Sequence, residues 1–170
     1  MRMFWTILTI FLSLQPYLQQ PAQKQFDALS FLVGHWTGEG TGTPGTSEGE
    51  FSFEWDLSHN ILVRRSFAEY PAAQGRPASR HDDLMVVFLE ADKLIADYFD
   101  SEGHVIHYAV NPAPDRKSVE FLSEPLSGSP RYRLTYTKSA DPDLLKLTFE
   151  IANKGDAFTR YIDATLHRIR

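Results

Sequence analysis

The sequence predicts an all-β fold, an antiparallel up-and-down barrel of about ten strands behind a short N-terminal helix, and three observations carry that expectation. From Gln23 onward, apolar and polar residues alternate with a period of two in short segments rich in Val, Ile, Phe, Tyr, Trp and Thr, the mark of half-buried strands. Most of these segments are joined by short links of turn-forming residues, and short links make antiparallel neighbours. Strands in this number and order either stack as two sheets or close on themselves, and closure leaves no unpaired edge to recruit another chain.

The first segment is an address rather than part of the barrel. Phe4 to Leu14 is an apolar run of eleven residues behind Arg2, shorter than the roughly 20 that a membrane span needs and matched to the core of a secretory signal. Ala22 is a candidate last residue before cleavage, which assigns 1–22 to the signal and 23–170 to a single barrel domain. The expected location is periplasmic or extracellular, with no membrane span after signal removal.

Next, Gln25 to Leu32 places Phe26, Leu29 and Leu32 or Val33 at helical spacing, a short helix that leads into the first strand as a lid or plug. Strands are then expected at 34–41, 48–56, 60–70, 82–90, 93–100, 104–110, 117–123, 130–138, 144–152 and 158–168. Tight links fall at Leu57-Ser58-His59, Ala91-Asp92, Ser101-Glu102-Gly103 and Asn153 to Asp156. Only Pro71 to Arg80, with two prolines and one glycine, reads as a long loop.

Composition narrows the function. The 170 residues are 42% hydrophobic and 23% charged, as in one ordinary globular domain. Seventeen basic residues against 22 acidic ones leave a formal charge of −5 with no basic run, which argues against a nucleic-acid partner. With no cysteine, disulfides, thiolate zinc sites and thiol nucleophiles are excluded, so any chemistry uses oxygen or imidazole groups. The chain also lacks a GxSxG elbow, a P-loop, a dinucleotide fingerprint and HExxH, so an enzymatic role is open but not favoured.

The candidate binding residues come from polar groups in strands. Arg64 and Arg65 are adjacent on an apolar strand, so one of them faces inward. It is available to an anionic ligand or to a barrel carboxylate such as Glu54 or Glu69. Arg131 and Arg133 share one face of the eighth strand, opposite Tyr132, Leu134 and Tyr136, and are solvated if the aromatic face is internal. The hairpin from Asp97 to Tyr108 offers a barrel-mouth site of Tyr98, Tyr108 and a histidine, His104 being a candidate. His104 and His107 point to opposite strand faces and do not chelate one metal, so no metal site is expected. His81 beside Asp82 and Asp83 reads as a turn or strand-end hydrogen bond.

The opening strand, Gly34-His35-Trp36-Thr37-Gly38-Glu39-Gly40, carries a GxWxGxG pattern after a helical segment. It resembles the start of nitrobindin-like haem-binding barrels and, more loosely, the lipocalin and fatty-acid-binding members of the calycin group. It is also similar to secreted bacterial barrels of unassigned function that open with FLVGxWxGEG. Alternation puts Trp36, Gly38 and Gly40 on one face, where the Trp fills a barrel end and the glycines admit close neighbours. Nitrobindin-like proteins end in a strand of the form HxxAxL whose His binds haem iron. Tyr161 stands in that place in Tyr161-Ile162-Asp163-Ala164-Thr165-Leu166, while His167 shares its strand parity. Tyrosinate ligates ferric haem, but the phenol needs a nearby cation to ionise.

The leading expectation is therefore a secreted calycin-like barrel that binds a small hydrophobic or amphipathic molecule. Trp36 sits at its closed end, Arg64 or Arg65 meets an anionic head, and Tyr98, Tyr108 and Tyr161 line the cavity, with His104 and Arg133 as further candidates. The alternatives are a haem barrel acting on reactive nitrogen or oxygen species, as the resemblance implies, and a filled barrel without ligand.

Overall fold

In the computed structural model, ten antiparallel strands follow one another around a closed ring. They are β1 (Gly34–Gly42), β2 (Ser47–Asp56), β3 (Ile61–Tyr70), β4 (Ser79–Glu90), β5 (Lys93–Asp100), β6 (Val105–Pro112), β7 (Ser118–Ser123), β8 (Arg131–Lys138), β9 (Leu144–Ala152) and β10 (Thr159–Ile169). Each pairs with its sequence neighbours, and β10 closes on β1 from His35 opposite Ile169 to Gly42 opposite Ile162. The described residues are 25–170 apart from Gln74; the expected signal segment and its cleavage point lie outside them. Among the described residues no helix is long and apolar enough to cross a membrane.

The alternation in the sequence becomes the inside and outside of the ring. On β1, Trp36 and Gly40 are buried while His35, Thr37 and Glu39 are exposed. The largest boundary difference is at β4, which begins at Ser79 and not at 82, because Ser79, Arg80 and His81 continue the ladder opposite Tyr70, Glu69 and Ala68. Those rim residues are too polar to show an apolar period. Ala91 and Asp92, both at positive φ (46° and 62°), form the tight turn between β4 and β5 whose twist suits a two-residue hairpin.

One end of the ring is filled. The short helix is a 3-10 turn, Asp27–Leu32, and it acts as a plug: Phe26, Leu29 and Leu32 are buried against the core. Trp36 donates its indole N–H to the Leu32 carbonyl at 2.8 Å. Arg168 lies 4.1 Å from the centroid of the same indole and donates to the Val33 carbonyl at 2.8 Å, so the plug is held from both sides. Above it, Phe51, Phe53, Phe121 and Tyr136 form a layer with ring centroids 5.6–6.1 Å apart.

Two glycines are there because strands come close. A Cβ on Gly38 would stand 2.5 Å from Leu166 Cδ2, and one on Gly49 would stand 2.3 Å from the Phe67 carbonyl oxygen. At Gly49 the obstacle is backbone, so relief requires β2 and β3 to move apart. Gly49→Ala is expected to lower unfolding stability by roughly 1–3 kcal/mol, read by urea denaturation; a neutral result would show that the β2–β3 spacing is soft.

Candidate functional site

The end opposite the plug is hollow. A cavity of about 530 Å³ opens there, and the polarity of its wall changes around the ring. From β3 to β6 the inward positions carry Arg64, Ser66, His81, Asp83, Tyr98 and Tyr108. From β8 to β10 they are mostly apolar, among them Leu134, Leu147, Phe149, Ile162 and Ala164, with the phenols of Tyr132 and Tyr161 as the polar exceptions. The two halves follow from which residues the period-two rule turns inward on each strand.

Arg64 is the inward arginine. It pairs in register with Met85, which makes Asp83 its diagonal neighbour on the same face. Arg64 Nη1 lies 2.6 Å from Asp83 Oδ1, and Nη2 donates to Ser66 Oγ at 3.0 Å. The side chains of Arg64 and Asp83 are only 8% and 5% exposed, so this is a buried ion pair. Burial is the largest influence and disfavours the guanidinium charge, but the Asp83 carboxylate and the smaller contributions of Tyr136, Tyr98 and Tyr108 together hold the Arg64 pKa above its ordinary value. The partner is neither Glu54 nor Glu69: both turn outward, Glu54 to His35 at 3.5 Å and Glu69 to Arg80 at 2.9 Å. Arg64 Nε and Tyr136 Oη are buried without a partner among the described residues.

The tyrosines around this pair stay neutral. Burial raises the pKa of Tyr98 and Tyr108, and raises that of Tyr136 to about 12. At neutral pH all three therefore act as phenols.

At the mouth, His81 links the cavity wall to the β5–β6 turn. Its Nε2 lies 2.9 Å from Tyr98 Oη and its Nδ1 lies 2.6 Å from Glu102 Oε2. Beside it, Asp100 Oδ1 accepts the amides of Glu102 (3.1 Å) and His104 (2.9 Å), while Oδ2 meets His104 Nδ1 at 2.8 Å. Burial would raise the Asp100 pKa, but the amide and ring hydrogen bonds from His104 outweigh burial and lower it. His81, Asp100 and Glu102 bring one metal-ligating atom each within 4.8 Å of one another, a grouping that the spacing of His104 and His107 does not reveal. In this arrangement Asp100 accepts from the Glu102 amide and from His104, and His81 lies against Glu102 and Tyr98.

The structure divides the expected site residues. Arg64, Tyr98, His104, Tyr108 and Tyr161 line the cavity. Trp36 is at the closed end beneath it, engaged by Leu32 and Arg168. Arg65 is exposed on the outer face, because its neighbour takes the inward position. Arg133 is also outside: the aromatic face of β8 is internal, and Arg133 binds Glu150 at 2.7 Å and covers the Phe158 ring at 4.3 Å. His107 is outside too, 2.6 Å from Asp97. His81 and Asp83 are the cavity residues that the strand-end reading missed. Extending the β4 alternation backward from Met85 would have found both.

Tyr161 reaches the cavity by an irregularity. The β9–β10 register shifts between Arg160 and Ile162, so Tyr161 is the extra residue of a β-bulge. Both Tyr161 and Ile162 line the cavity, and strict parity fails there. His167 instead faces outward opposite Thr37 and is exposed. The Tyr161 ring meets Phe149 edge-on at 6.1 Å, and among the described residues no hydrogen bond joins a cation to its phenol. Both nitrogens of His81 are engaged, while His104 uses Nδ1 on Asp100. The Tyr161 position, the one the resemblance singles out, therefore does not fit the role of haem ligand.

Two outcomes test the site. Arg64→Met strands the Asp83 carboxylate and is expected to cost about 3–5 kcal/mol, whereas Arg64→Met with Asp83→Leu recovers most of that loss in denaturant unfolding. The lowered pKa of Asp100 contributes stability that is present above the ordinary carboxylate range and lost as pH falls through the folded-state value. The stability gap between the native chain and Asp100→Asn is therefore full at neutral pH and closes progressively below about pH 4, as unfolding curves collected across that range would show.

No protein-family model matches the chain, and no curated protein matches it in sequence. Solved structures match its shape. Rv2717c from M. tuberculosis superposes with a TM-score of 0.60 at 16% identity, covering 85% of this chain and 97% of that one. The S-type phycobiliprotein lyase CPES from Guillardia theta gives 0.51 at 9% identity, covering 91% and 98%. At such identities the likeness shows the fold alone: the chain is a ten-stranded, closed antiparallel barrel that shares its architecture with these two structures.

Proposed function

We propose that this barrel is a binding protein that holds one small amphipathic molecule in its cavity. The observation that carries the reading is the division of a cavity of about 530 Å³ into a hydrogen-bonding wall on β3–β6 and a mostly apolar wall on β8–β10. That volume is within the range of about 300–1,000 Å³ usual for small-molecule pockets. A barrel serving only as a filled scaffold would gain from packing side chains into the space, and would have no use for an inward Arg64, Asp83 and His81. Apolar burial supplies the affinity and the polar wall sets the orientation. We also propose that the chain is exported, on the strength of the apolar run from Phe4 to Leu14 behind Arg2.

Native mass spectrometry of the protein purified from its own cell is expected to show a mass excess that disappears on denaturation. Ala164→Phe places a ring in the cavity; it is expected to keep the fold and lose the bound mass. Retention of the same mass by that variant, or a bare polypeptide from repeated preparations, would overturn the reading.

A further inference from the structure

Asp83 offers the cavity a carboxylate oxygen with nothing bound to it. Oδ1 is taken by Arg64 at 2.6 Å. Oδ2 is 3.7 Å from His81 Nε2, beyond hydrogen-bond range, and that nitrogen lies 2.9 Å from Tyr98 Oη. Among the described residues no hydrogen bond reaches Asp83 Oδ2, although the side chain is only 5% exposed. Asp83 Oδ2 is therefore a carboxylate oxygen that borders the cavity without a protein donor, and hydrogen bonds to a charged group are the strong ones, so it is a good acceptor for any donor that enters.

The charges around it have one sign in excess. Asp83, Asp100 and Glu102 all line this side of the cavity, with Arg64 as the guanidinium in the buried pair. Glu50 lines the cavity too. Arg80 borders the opening but binds Glu69 and Asp82 outside, and Arg76, bonded to the neutral Pro44 carbonyl beside the Tyr70 ring, lies away from Asp83 on the loop before β4, so four carboxylates face three arginines in all. His81 Nδ1 lies 2.6 Å from the Glu102 carboxylate, and His104 is hydrogen-bonded to Asp100. At Arg64 an anionic head, the expectation from an inward arginine, therefore finds the cation already matched and further carboxylates nearby. Tyr98, Tyr108, Tyr132 and Phe149 supply aromatic rings to the same cavity, and ring faces attract cations.

Building on the binding function above, we infer that the ligand is an apolar amine, cationic at neutral pH, whose ammonium group donates to Asp83 Oδ2 while its hydrocarbon body lies against Leu147, Phe149 and Ile162. The Arg64–Asp83 pair then orients the acceptor and does not itself bind the ligand's head.

Three probes with the same ring system test this by calorimetry: 1-naphthylmethylamine, 1-methylnaphthalene and 1-naphthylacetate. The amine is expected to bind roughly tenfold or more tightly than the methyl compound, the scale of a hydrogen bond to a charged group, with the carboxylate weakest. Asp83→Asn is expected to remove the amine's advantage and leave 1-methylnaphthalene binding unchanged. If that variant does not fold, Arg64→Met with Asp83→Leu serves the same purpose with no charge left unpaired. Equal binding of the three, preference for the carboxylate, or an amine preference that survives loss of Asp83 would overturn the inference while leaving the binding function intact. Failure to bind any of the three, 1-methylnaphthalene included, would count against both.

Discussion

Closure of β10 on β1 is the constraint from which the rest of the architecture follows. Once the ring is shut, every strand residue is either inside or outside, and a side chain cannot move to an edge to escape a poor environment. A polar residue on the inner parity is costly unless it finds a partner across the interior. Arg64 meets that demand with Asp83 and Ser66, and Arg168 meets it with the Val33 carbonyl and the Trp36 ring. Arg65 and Arg133, one residue out of that parity, face water.

The interior is divided along its axis into a packed half and a hollow half. The 3-10 plug, Trp36 and the layer of Phe51, Phe53, Phe121 and Tyr136 fill the first. Tight packing there supplies apolar burial and fixes the ring's shape, while the second half keeps its space and its buried polar groups. Packing is concentrated at one end and the open cavity at the other. The buried ion pair stands between them, close enough to the aromatic layer for Arg64 to lie 5.5 Å from the Phe51 ring centroid.

Most of the fold was legible because period-two alternation survives wherever one face is apolar and the other is wet. All ten strands, the plug helix and the hairpin at Ala91-Asp92 follow from that rule and from turn chemistry. It lost precision at the rim, where Ser79, Arg80 and His81 are polar on both faces, and at Tyr161, where an inserted residue breaks the parity that would have grouped it with His167. Arg64 was recognisable as one of two candidates, but choosing between neighbours required the phase of the whole ring. The Asp83 partnership was hidden for a further reason: it depends on cross-strand register, which joins residues 19 apart in the chain.

The seam between the first and last strands also sets the order in which this molecule is assembled. Every other ladder joins consecutive strands, so those hairpins pair as soon as their two arms exist. The seam, by contrast, brings Arg168 to Val33 across 135 residues. The loop-closure entropy of that contact is overcome only after the intervening hairpins have formed a curved sheet that shortens the effective loop. Until β10 arrives, the outer edge of β1 and the rim of β9 are open, and the Trp36 indole lacks its arginine cover. A chain released before its final strand therefore has two unpaired edges and an exposed aromatic floor, the combination most exposed to aggregation, and completion of the last eleven residues of sheet converts it into a surface with none.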